Sequence, residues 1–196
     1  AFPDDFLTSA DATIRYLRGR YLPETVYYVC GTESLKNQLR LAGLRVAETL
    51  RDDCAVVLLG YDTELTYEKL AASCLLLQRP EVRFLSTHPD LVCPSAEGPL
   101  PDTGSFVKLY EAATGRLPEL VFGKPNTVVL SPLLKRFRQD EMVMVGDRLS
   151  TDKKLAENAG IDFILVLSGE AKLSDLPGLE RQPTLVVDNL GQLESA

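Results

Sequence analysis

The stretch Met142-Val143-Met144-Val145-Gly146-Asp147-Arg148-Leu149-Ser150-Thr151-Asp152 decides how the rest of this chain is read. An apolar run ends in Gly-Asp, and a second Asp follows five residues later, where a helical pattern begins. A buried strand that carries carboxylates to its carboxyl end sets them where open α/β sheets bind ligands. Asp147 and Asp152 together suit a hard cation such as Mg²⁺, which takes carboxylate oxygen and keeps several waters. A plainer account stands beside this one. Asp147 would close a turn, and Asp152 would complement the dipole of a helix over 152–159, with Leu155, Ala156 and Ala159 inward and Gly160 as its stop. This segment alone does not choose between the two.

Working outward, strand-like runs alternate with helical patterns. Upstream, strands are predicted at 25–30, 55–59, 82–86 and 120–122, and helices at 34–42, 66–77 and 104–114. A loop rich in Pro and Gly fills 87–102, and a helical stretch through Leu133, Leu134 and Phe137 carries Pro132 near its first turn. Downstream, strands are predicted at 142–145, 163–167 and 185–187. Apolar strands alternating with helices imply an α/β fold with a parallel sheet covered on both faces.

Composition narrows the function. A chain of 196 residues with 45% hydrophobic and 25% charged content is that of a globular protein with room for one mid-sized domain, or for a core with an inserted cap. The net charge of −7 argues against nucleic acid and anionic membrane as partners, since both demand a basic face. An anionic substrate must therefore be held locally. No apolar run approaches the roughly 20 residues of a membrane span, and Ala1-Phe2-Pro3-Asp4-Asp5 lacks the features of a signal peptide. Cys30, Cys54, Cys74 and Cys93 are widely spaced and accompany a single His. They suit reduced thiols in a cytoplasmic protein rather than a zinc site or disulfide scaffold.

Several further segments fall in a telling order: Ser86-Thr87-His88-Pro89-Asp90, Asp102-Thr103-Gly104-Ser105, Glu111 to Arg116 (EAATGR), Gly123-Lys124-Pro125, the Gly-Asp motif, then Ile164 to Gly169 (ILVLSG). In this order the chain resembles the haloacid dehalogenase (HAD) superfamily of phosphatases, in the NagD-like, para-nitrophenylphosphatase-like branch. The resemblance covers essentially the whole chain. It implies a HAD-like Rossmannoid sheet with an inserted α/β cap, divided as core over 1–52, cap over 53–122 and core again over 123–196. It also implies a Mg²⁺-dependent phosphatase of small phosphorylated metabolites that works through an aspartyl-phosphate. By this resemblance Asp147 is a metal ligand and Asp152 a direct or supporting one, while Lys124 holds the phosphate and the nucleophile. Alone, a Lys in a Gly-Lys-Pro turn is more often a solvated surface residue. The loop 87–98 is expected in the cap, which in this branch closes over the site and reads the leaving group. His88, Asp90 and Cys93 are its candidate substrate-facing residues; related chains can carry a His near the Cys93 position. Caps in this branch can also pair, which would give a homodimer.

Two family motifs have no counterpart in residues 1–196. One is the apolar strand ending in Asp-x-Asp-Gly, which supplies the nucleophile and the acid/base Asp. The other is the Thr or Ser that holds the phosphate after the next strand. Asp4-Asp5 follows no apolar strand and has the wrong spacing. The family sheet order 3-2-1-4-5-6 would leave strands 1 and 2 missing from its centre, with residues 26–30 as strand 3. The nucleophile is accordingly expected upstream, and residues 1–196 alone are expected to be inactive. A different class of reading is a non-catalytic HAD-fold relative that binds a ligand or partner without turnover. A doubly wound nucleotide-binding domain is disfavoured, because no G-x-G-x-x-G or G-x-x-x-x-G-K-[ST] loop follows a strand.

Overall fold

Helix α1 (Ser9–Arg20) leads into β1 (Val26–Cys30), whose five residues are all buried. Strands apolar on both faces belong to parallel sheets covered on both sides. There follow α2 (Glu33–Leu41), β2 (Arg45–Ala47), β3 (Cys54–Leu59), α3 (Tyr67–Leu77), β4 (Arg83–Ser86), β5 (Val92–Ser95), β6 (Gly98–Pro101), α4 (Thr103–Thr114) and β7 (Leu120–Val121). Five of these strands form one sheet in the order β2-β1-β3-β4-β7, every pair parallel. Together these elements make up one unit, residues 1–123, and residues 124–196 make up another. The structure is a computed structural model that describes residues 6–193.

Helix starts in the first unit are set by oxygen side chains. Thr8, Thr32, Thr66 and Asp102 accept backbone N–H groups at the starts of α1, α2, α3 and α4. Each such cap contributes about 1 kcal/mol. The core gathers Val57, Leu59, Leu76, Phe84 and Tyr110. Phe84 and Tyr110 meet edge to face at 5.7 Å, and the Tyr110 hydroxyl donates to Cys30 Sγ at 3.2 Å. Burial pushes the Cys30 thiol up from its ordinary pKa, and among the described residues all four cysteines are free. Phe84→Ala should therefore destabilise this unit by about 3–5 kcal/mol. A lower urea midpoint at unchanged slope would show it; an unmoved midpoint would mean this ring is not part of the core.

The second unit has its own smaller sheet. A 3-10 turn (Thr127–Leu130) precedes β8 (Val143–Gly146), which leads through a π-helical turn (Leu149–Lys153) to α5 (Lys154–Ala159), β9 (Asp162–Val166) and β10 (Leu185–Val187). These strands are parallel in the order β10-β9-β8. Leu155, Ala156 and Ala159 of α5 are buried with Phe163 and Leu165 of β9, as the helical spacing predicts. Among the described residues β8 pairs only with β9, so one side of it is an open edge.

The structure corrects the expected division at 52/53. β1 pairs along its whole length with β3, so 1–52 and 53–122 share one sheet. Residues 26–30 are thus not in the sheet that carries the Gly-Asp motif. The stretch 87–102 is not wholly loop: β5 and β6 form an antiparallel hairpin within it. No α-helix runs through Leu133 and Phe137. Pro132 offers no N–H, and Leu133 and Arg136 reach back three residues while Leu134 and Phe137 reach back four, giving a chain of turns. Among the described residues no helix is long and apolar enough to cross a membrane.

Candidate functional site

The open edge strand β8 ends at Gly146, and Asp147 follows at the carboxyl end of the sheet. There the loop after the neighbouring β9 holds it. The Asp147 carbonyl accepts from Ala171 N at 3.0 Å, and its Oδ2 accepts from Glu170 N at 2.9 Å. Its other carboxylate oxygen accepts no hydrogen bond from a described residue. One oxygen is fixed and the other is available.

Asp152 lies in the π-helical turn rather than in the first turn of an α-helix. In that turn the Arg148 carbonyl accepts both Asp152 N and Lys153 N at 3.1 Å. The extra residue rotates the Asp152 side chain back under β8, where Oδ2 accepts from Arg148 N at 3.2 Å. Its Oδ1 takes the Lys124 amine at 2.5 Å. The Asp152 side chain is 4% exposed and that of Lys124 45%. Lys124 thus has one direction filled by a buried carboxylate and another open to solvent. Asn158 Nδ2 donates to the Pro125 carbonyl at 3.0 Å, tying the Gly-Lys-Pro turn to α5.

Two glycines make room for these carboxylates. A Cβ at Gly146 would fall 2.5 Å from the Asp152 carboxyl group, and one at Gly169 would fall 2.0 Å from Asp147 Oδ2. Close approach explains both better than backbone conformation does, since neither has a positive φ. Around this centre Arg148 pairs with Glu170 at 2.9 Å. A hydrogen bond from Lys153 holds the Glu157 carboxyl below the usual carboxylate range.

The structure places Lys124, Asp147 and Asp152 at one end of one small sheet. The other candidates lie in the first unit. His88 and Asp90 follow β4 and converge on Asp102, a residue that spacing alone did not single out for the site. His88 Nε2 is 2.8 Å from Asp102 Oδ1, and its Nδ1 is 2.9 Å from Thr87 Oγ1. Asp102 opens one of the ordered motifs and precedes a helix, and neither signal places it against His88. Cys93 is not among these three: it lies in β5 opposite Leu100, and its thiol meets Tyr61 and lies 3.8 Å from the Pro94 carbonyl.

Comparison with known proteins identifies the family. The HAD-hydrolase-like family model matches residues 121–193, the segment that carries Lys124, Asp147 and Asp152. An acid sugar phosphatase of Staphylococcus epidermidis is 36% identical over 94% of this chain and 70% of its own length. A 4-nitrophenylphosphatase from Thermotoga maritima superposes with a TM-score of 0.91 at 42% identity, over 100% of this chain and 74% of that one. A glycerol phosphate phosphatase from Mycobacterium tuberculosis, solved in complex with magnesium, superposes at 0.88 with 30% identity over 98% of this chain and 59% of that one. This chain belongs to the HAD-like hydrolases, in their NagD and p-nitrophenylphosphatase branch, and is by family a hydrolase of phosphate monoesters.

Proposed function

We propose that residues 124–196 supply the cation- and phosphate-holding side of a Mg²⁺-dependent phosphatase that cleaves small phosphorylated metabolites through an aspartyl-phosphate. What supports this above all is Lys124, held at 2.5 Å by a buried carboxylate while its amine stays half open. A lysine fixed in this way is a positive charge already in place before the anion arrives, so little reorganisation is needed when charge develops.

The donor set fits a hard cation. The free oxygen of Asp147 is carboxylate oxygen at the end of a strand, the type Mg²⁺ prefers. When bound, such an ion offsets the charge of the phosphoryl group against an anionic nucleophile. Asp152 contributes differently: with one oxygen on Lys124 and the other on Arg148 N, it positions the lysine and supports the cation indirectly. The nucleophile in this reading is an Asp of an upstream strand, which would add to the sheet along the open edge of β8. Its carboxylate oxygen bonds to phosphorus as the ester oxygen departs and takes a proton from a neighbouring Asp. Water then cleaves the acyl phosphate, releasing inorganic phosphate and regenerating the carboxylate. Residues 1–123, with their own sheet, are the inserted cap in the same proposal. A cytoplasmic location, a small-molecule substrate and no nucleic-acid partner complete it.

Purified residues 1–196 should release no p-nitrophenol from p-nitrophenyl phosphate with Mg²⁺ present. A polypeptide that also carries an Asp-x-Asp strand should. Turnover by residues 1–196 would refute the assignment of the nucleophile. A longer polypeptide that has the Asp-x-Asp strand but binds Mg²⁺ without turnover would favour the non-catalytic reading.

A further inference from the structure

We propose that His88, Asp90 and Asp102 form a divalent-cation site of the imidazole-and-carboxylate kind that takes Zn²⁺, in addition to the cation proposed at Asp147. One ligand atom from each residue lies within 4.8 Å of the other two. Ligands about 2.0–2.2 Å from a zinc ion lie roughly 3–4 Å from one another, so His88 Nε2 and Asp102 Oδ1 would part slightly while Asp90 draws in. The His88 Nε2 to Asp102 Oδ1 separation is already 2.8 Å.

The frame around these atoms is stiff. Thr87 N donates to the Leu59 carbonyl at 2.9 Å, fixing the end of β4 to its neighbour β3. Gly104 N donates to the Asp90 carbonyl at 2.7 Å. A Cβ at Gly104 would fall 2.1 Å from the Pro89 carbonyl oxygen, so the His-Pro-Asp backbone is seated directly on the start of α4. Asp102 is buried there, with Thr103 N donating to its Oδ1 at 2.6 Å. Thr103 Oγ1 adds a neutral oxygen 3.0 Å from His88 Nε2.

Two features point to a cation rather than to a hydrogen-bonded network alone. The second ring nitrogen of His88 is 2.9 Å from Thr87 Oγ1, the outer hydrogen bond that usually orients a metal-ligating histidine. In the tautomer that donates Nδ1–H to Thr87, Nε2 presents its lone pair beside the Asp102 carboxylate oxygen, the arrangement of two ligands to one cation. The half-buried Asp90 carboxylate, meanwhile, accepts no hydrogen bond from any described residue. A proton on His88 balances one of the two carboxylates; a divalent cation balances both. The imidazole selects a borderline ion such as Zn²⁺ over the oxygen-seeking Mg²⁺.

The chain contains a single histidine, so one imidazole spin system reports on the site without ambiguity. Zn²⁺ is titrated into purified residues 1–196, followed by calorimetry and by ¹H–¹⁵N correlation of the imidazole. One equivalent should bind, moving the Nε2 resonance while Nδ1–H persists. His88→Gln and Asp90→Asn should each weaken binding by about ten-fold or more, and Asp147→Asn should leave it unchanged. Asp90→Asn is a half-exposed, near-isosteric change and guards against a folding defect in the His88 variant. Imidazole resonances that stay still through the titration would overturn the proposal, as would equal Zn²⁺ affinity in the His88 and Asp90 variants. None of these readouts depends on phosphatase activity.

Discussion

Lys124→Ala, in a polypeptide that carries the nucleophile strand, is expected to lower kcat on p-nitrophenyl phosphate by about 10²–10³-fold, the usual effect of deleting one preorganised charge-stabilising donor. The amine is anchored on Asp152 at 2.5 Å and open on its other side. Removing it takes away the placed charge and also strips the buried Asp152 carboxylate of its cation. Leaving such a group unsatisfied costs about 1–3 kcal/mol. The lower end of that range applies, because the half-exposed amine shares its work with solvent. Lys124→Arg should not restore the rate, since a planar guanidinium cannot occupy the place of a compact ammonium. Steady-state kinetics with a folding control by circular dichroism would test this. A folded alanine variant with the wild-type rate would remove Lys124 from the site.

The second large effect is expected from a methyl group. Gly169→Ala puts a Cβ 2.0 Å from Asp147 Oδ2 and 2.5 Å from its Cβ and Cγ. The aspartate is short and its Oδ2 is tethered to Glu170 N, so it cannot swing away without losing that bond. Mg²⁺ affinity should fall by about 10–100-fold, with kcat/KM partly recovered at high Mg²⁺. Overpacking should cost about 1–3 kcal/mol of stability as well. An unchanged Mg²⁺ dependence would show that the Asp147 carboxylate is not where the cation binds.

Both predictions rest on residues that the sequence singled out, while their partners came from the fold. Asp152 reads equally well as a ligand or as a helix-start carboxylate. Only the π-helical turn, which directs it to Lys124 and Arg148 N, shows that both its oxygens are taken. Gly169 reads as an ordinary loop glycine until Asp147 is seen against it. Cys93 looked comparable to His88 on the same stretch, yet the β5–β6 hairpin separates it from the group that His88 joins.

By itself the sequence located most of the buried strands and the helices between them, though not β2, the β5–β6 hairpin or the turns over 133–137. It also determined that Gly146-Asp147 closes an apolar strand and which family the ordered motifs belong to. These are local properties, carried by hydrophobic period, capping residues and short motifs. Which strands share a sheet was decided by tertiary structure alone: Val26–Cys30 pairs with Cys54–Leu59 and not with the strand that bears Asp147. The physical reason is that a parallel strand buried on both faces is apolar throughout, and nothing in such a run names its neighbour. The meeting of His88 with Asp102 has the same origin, because the turn and hairpin between them set the distance and their spacing along the chain does not.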